Sequence, residues 1–144
     1  MQDDDYWMRH AITLARQAEQ EGEVPVGALI VIENELVSEG WNRPISLNDA
    51  TAHAEIQAIR SATAKIGNYR LKHATLYCTL EPCVMCAGAL AWSQLKGVVF
   101  AATDPKRGFQ QAGLALHPKT QLRFGVMAQE ASALLEDFFA KKRK

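Results

Sequence analysis

The chain has 144 residues, sixteen basic against sixteen acidic ones, and nearly half of it is apolar. That length suits one domain spanning 1–144, and zero formal charge excludes a wholly basic nucleic-acid coat protein while leaving room for a local basic patch. No apolar run approaches the ~20 residues of a membrane span, the acidic opening MQDDDYW is unlike a signal peptide, and three cysteines make no disulfide scaffold, so a cytoplasmic protein is expected.

Met8, Ala11, Ile12, Ala15 and Ala18 recur at helical spacing and predict an amphipathic helix over 5–20. VGALIVI and LVSEGW flank Glu33-Asn34, which reads as a hairpin turn although Glu is not a favoured turn residue. Ile56, Ile59 and Ala62 predict a second helix over 52–65. ATLYCTL and GVVFAA read as buried strands, with an apolar helix over 83–93 between them. That order favours a right-handed parallel crossover. From 102 to 119 the signals weaken to a loop with at most one helical turn. QLRFGVM reads as a last strand, and Ala131, Leu134, Leu135 and Phe138 mark a closing helix. The expected fold is α/β, a mixed five-stranded sheet in a three-layer αβα sandwich. Ligands of such sheets sit beyond the carboxyl ends of the strands.

That is where TLEPCVMCAGAL falls. Cys83 and Cys86, at i and i+3, share one face of a helix. Pro82 suits the first turn, and the positive end of the helix dipole favours thiolate. The pair alone fits either a redox couple or part of a metal site. Thirty residues upstream, His53 opens another predicted helix, with Glu55 two residues on. One imidazole and two thiolates would give Zn²⁺ three ligands and leave the fourth position open to water, with Glu55 beside it as proton carrier. Residues two apart on a regular helix point about 200° apart. His53 and Glu55 therefore share a site only at the irregular edge of the first turn, or if the substrate reaches between them. A closed structural site would draw its fourth ligand from His10, His73, Cys78 or His117, none of them at short spacing from the cysteine pair. Cys78 reads instead as a buried thiol, His10 as a helix-surface residue, and His73 and His117 as loop residues.

The HAE and PCVMC motifs resemble the signature of the zinc-dependent cytidine/deoxycytidylate deaminase superfamily. EVPVGALIV, EGWNRP, TAHAEI, YRL, ATLYCTLEPCVMCAGAL and VVFAATDPK are similar in order and spacing to bacterial tRNA-specific adenosine deaminases. The likeness is strong from Tyr6 to Phe100 and looser through LLEDFFAKK. It implies a cytidine-deaminase-like sandwich, a homodimer, and one Zn²⁺ per subunit held by His53, Cys83 and Cys86. It also implies hydrolytic deamination of adenosine to inosine at the wobble position of a tRNA anticodon loop. Glu55 would take the proton of the zinc-activated water and pass it toward purine N1 and then the departing ammonia. Asn42 would hydrogen-bond the base, the Ala54 backbone would read its edge, and Val26 would pack on the ring. On plainer readings Asn42 forms a turn and Val26 belongs to the core. Asp104 and Phe139 would lie on the substrate side, with phosphate contacts from Arg43, Lys106, Arg107, Lys119, Lys141, Lys142 and Arg143.

The family commonly continues D-x-K-x-G-A-x-G-S, where this chain has DPKRGFQQAG. Asp104 and Lys106 keep the pattern, while Arg107, Phe109 and two glutamines replace the small-residue turn. Phe109 either stacks a base or caps the core. The altered loop motivates a second reading, a deaminase of free bases or nucleosides of the guanine or cytosine type. A third is a non-catalytic, zinc-stabilised RNA-binding module.

Overall fold

The structure is a computed structural model that describes residues 1–142. Its elements in chain order are α1 (Asp4–Gln20), β1 (Gly27–Ile32), β2 (Glu35–Trp41), α2 (Ala54–Ile66), β3 (Ala74–Leu80), α3 (Val84–Ser93), β4 (Gly97–Ala102), β5 (Gln121–Phe124) and α4 (Ala128–Lys142). The sheet runs β2-β1-β3-β4-β5. β1 is antiparallel to both its neighbours, and β3, β4 and β5 are mutually parallel, the β3–α3–β4 unit being the expected crossover.

Both faces of this sheet are covered, so its central strands carry continuous apolar runs instead of alternating ones. All six residues of β4 are buried. On one face Ala28, Ile30, Leu76, Cys78, Val98 and Phe100 pack with Ala54, Ala58 and Ala62 of α2 and Ala87 and Leu90 of α3. On the other, Leu29, Val31, Tyr77, Val99 and Ala101 meet Trp7, Met8, Ala11 and Ile12 of α1 and Ala131 of α4. The expected three-layer sandwich is present.

The turn at Glu33-Asn34 puts both residues at positive φ, 50° and 63°. A two-residue hairpin of the primed type requires that, and the pairing of Ile32 with Glu35 holds a glutamate there against its usual preference. Gly40 decides how deeply α2 sits. A Cβ there would overlap the Ala54 carbonyl and lie 2.7 Å from the Ala58 nitrogen, so only glycine lets the first turn of α2 rest on β2. The Ser38 hydroxyl, donating to the Ala58 carbonyl at 2.7 Å, holds the contact.

Three boundaries differ from expectation. The last strand ends at Phe124, not Met127, because Gly125 and Met127 turn into the left-handed region at φ 88° and 57°. Residues 103–120 form turns and no helix, and the Gly108 N–H donating to the Asp104 carbonyl at 2.9 Å closes the single helical turn allowed there. The helices expected from 52 and 83 begin at Ala54 and Val84, leaving His53 and Cys83 just outside them. Among the described residues no helix is long and apolar enough to cross a membrane.

Candidate metal centre and active site

His53 and Cys83 hold the N-cap positions of α2 and α3, with extended ψ of 157° and 176°, and neither side chain caps its helix. Both imidazole and thiol are thereby turned off the helix axes toward each other. His53 Nδ1 lies 3.6 Å from Cys83 Sγ and 3.5 Å from Cys86 Sγ. The three donor atoms all fall within 4.8 Å of one another. A tetrahedral ion with ordinary Zn–S and Zn–N bonds would hold nitrogen and sulfur about 3.6 Å apart. Spacing and donor type both fit zinc.

Among the described residues no fourth His, Cys, Asp or Glu joins this group. His10 pairs with Glu39 across the α1–β2 contact, and His73 is exposed. His117 Nδ1 accepts the Lys119 N–H at 3.2 Å within its own turn. Cys78 is wholly buried in β3, where burial pushes its thiol pKa well up. The arrangement is three donors and an open position.

Glu55 is only 4% exposed and lies beside the three donors, close enough to interact with His53, Cys83 and the Cys86 thiol. Because His53 stands outside the regular helix, the two-residue spacing does not send the side chains to opposite faces. Burial pushes the Glu55 carboxyl up to about 6, against its own backbone N–H, His53 and the Cys86 thiol, which favour the charged form. The hydrogen bond from Cys86 draws Cys83 down to about 4, with His53 adding to it. That bond in turn pushes Cys86 up, and Cys83 raises His53.

Two loops flank this centre, each held by a buried glutamate that the pattern reading passed over. Glu23 accepts the Ile45 N–H at 3.2 Å, the Ser46 N–H at 2.6 Å and the Ser46 hydroxyl at 2.7 Å. Burial opposes its charge, but the Ser46 and Ile45 donors prevail and its pKa is lowered. Glu81 accepts the Asp104 N–H at 2.9 Å and the Gln110 N–H at 3.0 Å. The available signal was an acid within an otherwise apolar or Pro-bounded run, EVPVG and TLEPC.

Of the other expected site residues, Asn42 donates its backbone N–H to the Val26 carbonyl at 3.0 Å, which sets these two side by side. Ala54 is fully buried at the start of α2. Arg43 lies over the Trp41 ring at 5.6 Å, with Nε 3.2 Å from Glu21 Oε1, so its charge is already engaged. Asp104 Oδ1 accepts the Lys106 and Arg107 N–H groups at 3.1 and 3.0 Å and shapes its own turn. Lys106, Arg107, Lys119, Lys141 and Lys142 are exposed, and Arg143 lies outside the described residues. Phe139 is 42% exposed, edge-to-face with the buried Phe138. Phe109, 2% exposed and edge-on to Phe100, takes the core role of its two alternatives.

Residues 1–102 match the cytidine and deoxycytidylate deaminase zinc-binding region. The chain belongs to this deaminase family. The tRNA-specific adenosine deaminase of Buchnera aphidicola subsp. Schizaphis graminum is 43% identical over 145 residues, covering 97% of this chain and 96% of that protein. A solved structure from studies of A-to-I editing by tRNA:A34 deaminases at the wobble position superposes with a TM-score of 0.83 at 37% identity, over 90% of this chain and 99% of its own. The guanine deaminase of Nitrosomonas europaea gives the same TM-score at 26% identity, over 97% of this chain and 86% of its own. In the present chain His53, the Cys83/Cys86 pair and Glu55 occupy the two helix starts just described.

Proposed function

We propose that this deaminase converts adenosine to inosine at the wobble position of a tRNA anticodon loop, releasing ammonia. The observation that carries the reading is the buried Glu55 carboxyl beside a three-donor group with an open fourth position. Full-length similarity to tRNA-specific adenosine deaminases supports the substrate class.

His53, Cys83 and Cys86 would hold one Zn²⁺ per subunit. When bound, zinc supplies the Lewis acid that lets water lose a proton near neutral pH. Glu55 accepts the proton of the attacking water. It delivers that proton to N1 of the purine, then takes the proton of the hydroxyl added at C6 and passes it to the amine, which leaves as ammonia as the C6–N bond breaks and the C6 carbonyl forms. A carboxyl lifted by burial to about 6, closer to neutrality than an ordinary glutamate, suits both directions of transfer. Val26, just before β1, and its neighbour Asn42, just after β2, would pack on and hydrogen-bond the base, and the Ala54 backbone would read its edge. Asp104 and Phe139 would complete the substrate side, with phosphate contacts from Lys106, Arg107, Lys141 and Arg143 and, if it leaves Glu21, Arg43. A homodimer in the cytoplasm, where tRNA is processed, completes the reading.

Purified, zinc-loaded protein is incubated with an anticodon stem-loop bearing adenosine at the wobble position and, separately, with free guanine and cytosine. Inosine in the RNA, and no ammonia from the free bases, is the expected result. Ammonia from guanine alone would establish the second reading, which the structural likeness to a guanine deaminase favours. Zinc-dependent RNA binding with no turnover of any substrate would establish the non-catalytic one.

A further inference from the structure

Glu81 follows the last residue of β3 and stands two residues before Cys83. It is 4% exposed and, among the described residues, makes no ion pair. Burying a carboxylate is costly unless hydrogen bonds compensate, and here the donors come from a single loop. Oε1 takes the Asp104 N–H and Oε2 the Gln110 N–H, one oxygen for each end of the segment 104–110. Two backbone contacts run beside that clamp. Gly108 pairs with Cys83 as an isolated antiparallel bridge, and the Phe109 N–H donates to the Pro82 carbonyl at 2.9 Å. A Cβ on Gly108 would overlap the Glu81 carboxylate and lie 2.6 Å from the Asp104 carbonyl, so the loop closes on Glu81 with no room to spare. At its tip the exposed Lys106 and Arg107 stand two and one residues before the backbone partner of Cys83.

We propose that Glu81 is a positioning residue for the RNA substrate. It clamps the 104–110 loop to the segment that carries Cys83, and so holds Lys106 and Arg107 at a set distance from the metal centre, where they grip phosphates beside the target nucleotide. The inference rests on the tRNA reading above. A glutamine at 81 can accept only one of the two N–H groups, since its amide nitrogen faces the other as a donor.

Glu81→Gln should therefore retain zinc and keep kcat at saturating stem-loop within about threefold, while KM rises about tenfold or more. The slope of log kcat/KM against log salt should fall by about 1–1.5, the share of two single-strand phosphate contacts. Lys106→Ala/Arg107→Ala should give the same salt slope and add little further in the Glu81→Gln background. Gly108→Ala, which displaces the same carboxylate by bulk, should reproduce the KM effect. A merely structural role would lower thermal stability without splitting KM from kcat.

Additive effects of Glu81→Gln and the double alanine variant would overturn the proposal, as would zinc loss or a fall in kcat alone. Amide exchange at Asp104 and Gln110, measured without substrate, should be faster in Glu81→Gln, and unchanged protection there would overturn the clamp directly. Failure of the wild-type protein to deaminate any stem-loop would instead overturn the tRNA reading and with it the phosphate role, whatever the exchange data say of the clamp.

Discussion

At the start of α1, Asp3 accepts the Tyr6 N–H at 2.9 Å, and Asp4 and Asp5 follow in the first turn. At the same position of α2 and α3, with the same extended backbone, His53 and Cys83 leave their helix N–H groups without a side-chain cap and turn toward each other. An N-cap side chain projects off the helix axis from a rigid anchor, which makes it a good capping group or a good ligand but not both. The helix ends left uncapped are positive, and that favours thiolate nearby. Stability is given up at these two helix starts, and the packing of α2 and α3 on the sheet makes it good.

The largest effects should come from removing the ligands. His53→Ala, Cys83→Ala or Cys86→Ala should abolish both bound zinc and turnover, and metal analysis showing a full equivalent in any of them would break the assignment. Next comes Glu55→Gln. It should keep zinc and fold while lowering kcat by about 10²–10⁴, the usual contribution of one acid–base group; metal content and stem-loop kinetics measured together test this. Asp3→Ala should lie on the other side of the comparison. Loss of that cap should cost about 1 kcal/mol in denaturant unfolding and leave zinc content and kcat unaltered.

The smallest effect concerns Asp4, whose carboxylate takes a bidentate grip from Arg123 at 2.8 and 3.0 Å and a hydrogen bond from Tyr77 at 2.7 Å. The Arg123 hydrogen bond is the largest cause of its lowered pKa. A depressed carboxylate stabilises the fold fully above its unfolded pKa, about 4, and ceases to do so as pH falls through the folded value. Asp4→Asn should therefore be the less stable protein at pH 7 and approach wild type as the pH drops below 4, in unfolding followed across pH. A constant difference at every pH would remove this part of the α1 argument.

Much of the fold was legible because burial leaves a periodic trace. Ala11, Ile12 and Ala15 announced α1, and the continuous apolar runs of β3 and β4 announced strands covered on both faces. Boundaries were less legible where one backbone angle decides them. Nothing in QLRFGVM revealed that Gly125 and Met127 would turn left-handed and end β5 at Phe124. At the site, His53, Glu55, Cys83 and Cys86 could be named from chemistry and spacing. Glu23 and Glu81 could not, because an acid in a loop-bordering run looks solvated until the loop that folds over it is known.

Composition and periodicity by themselves determined an α/β fold with helices on both faces of its sheet, and the motif residues pointed to a zinc-type donor set with an acid beside it. Those properties are local, carried by residue type and short spacing. Only the tertiary structure decided that His53 and Cys83 stand at caps instead of inside helices, which resolves the 200° problem and brings Glu55 to the same centre. It also decided that Phe109 belongs to the core and that Glu81 joins the 104–110 loop to the cysteine segment. These depend on contacts between residues some thirty positions apart, such as His53 with Cys83 and Glu81 with Gln110, which the folded sheet creates and no short stretch of chain contains.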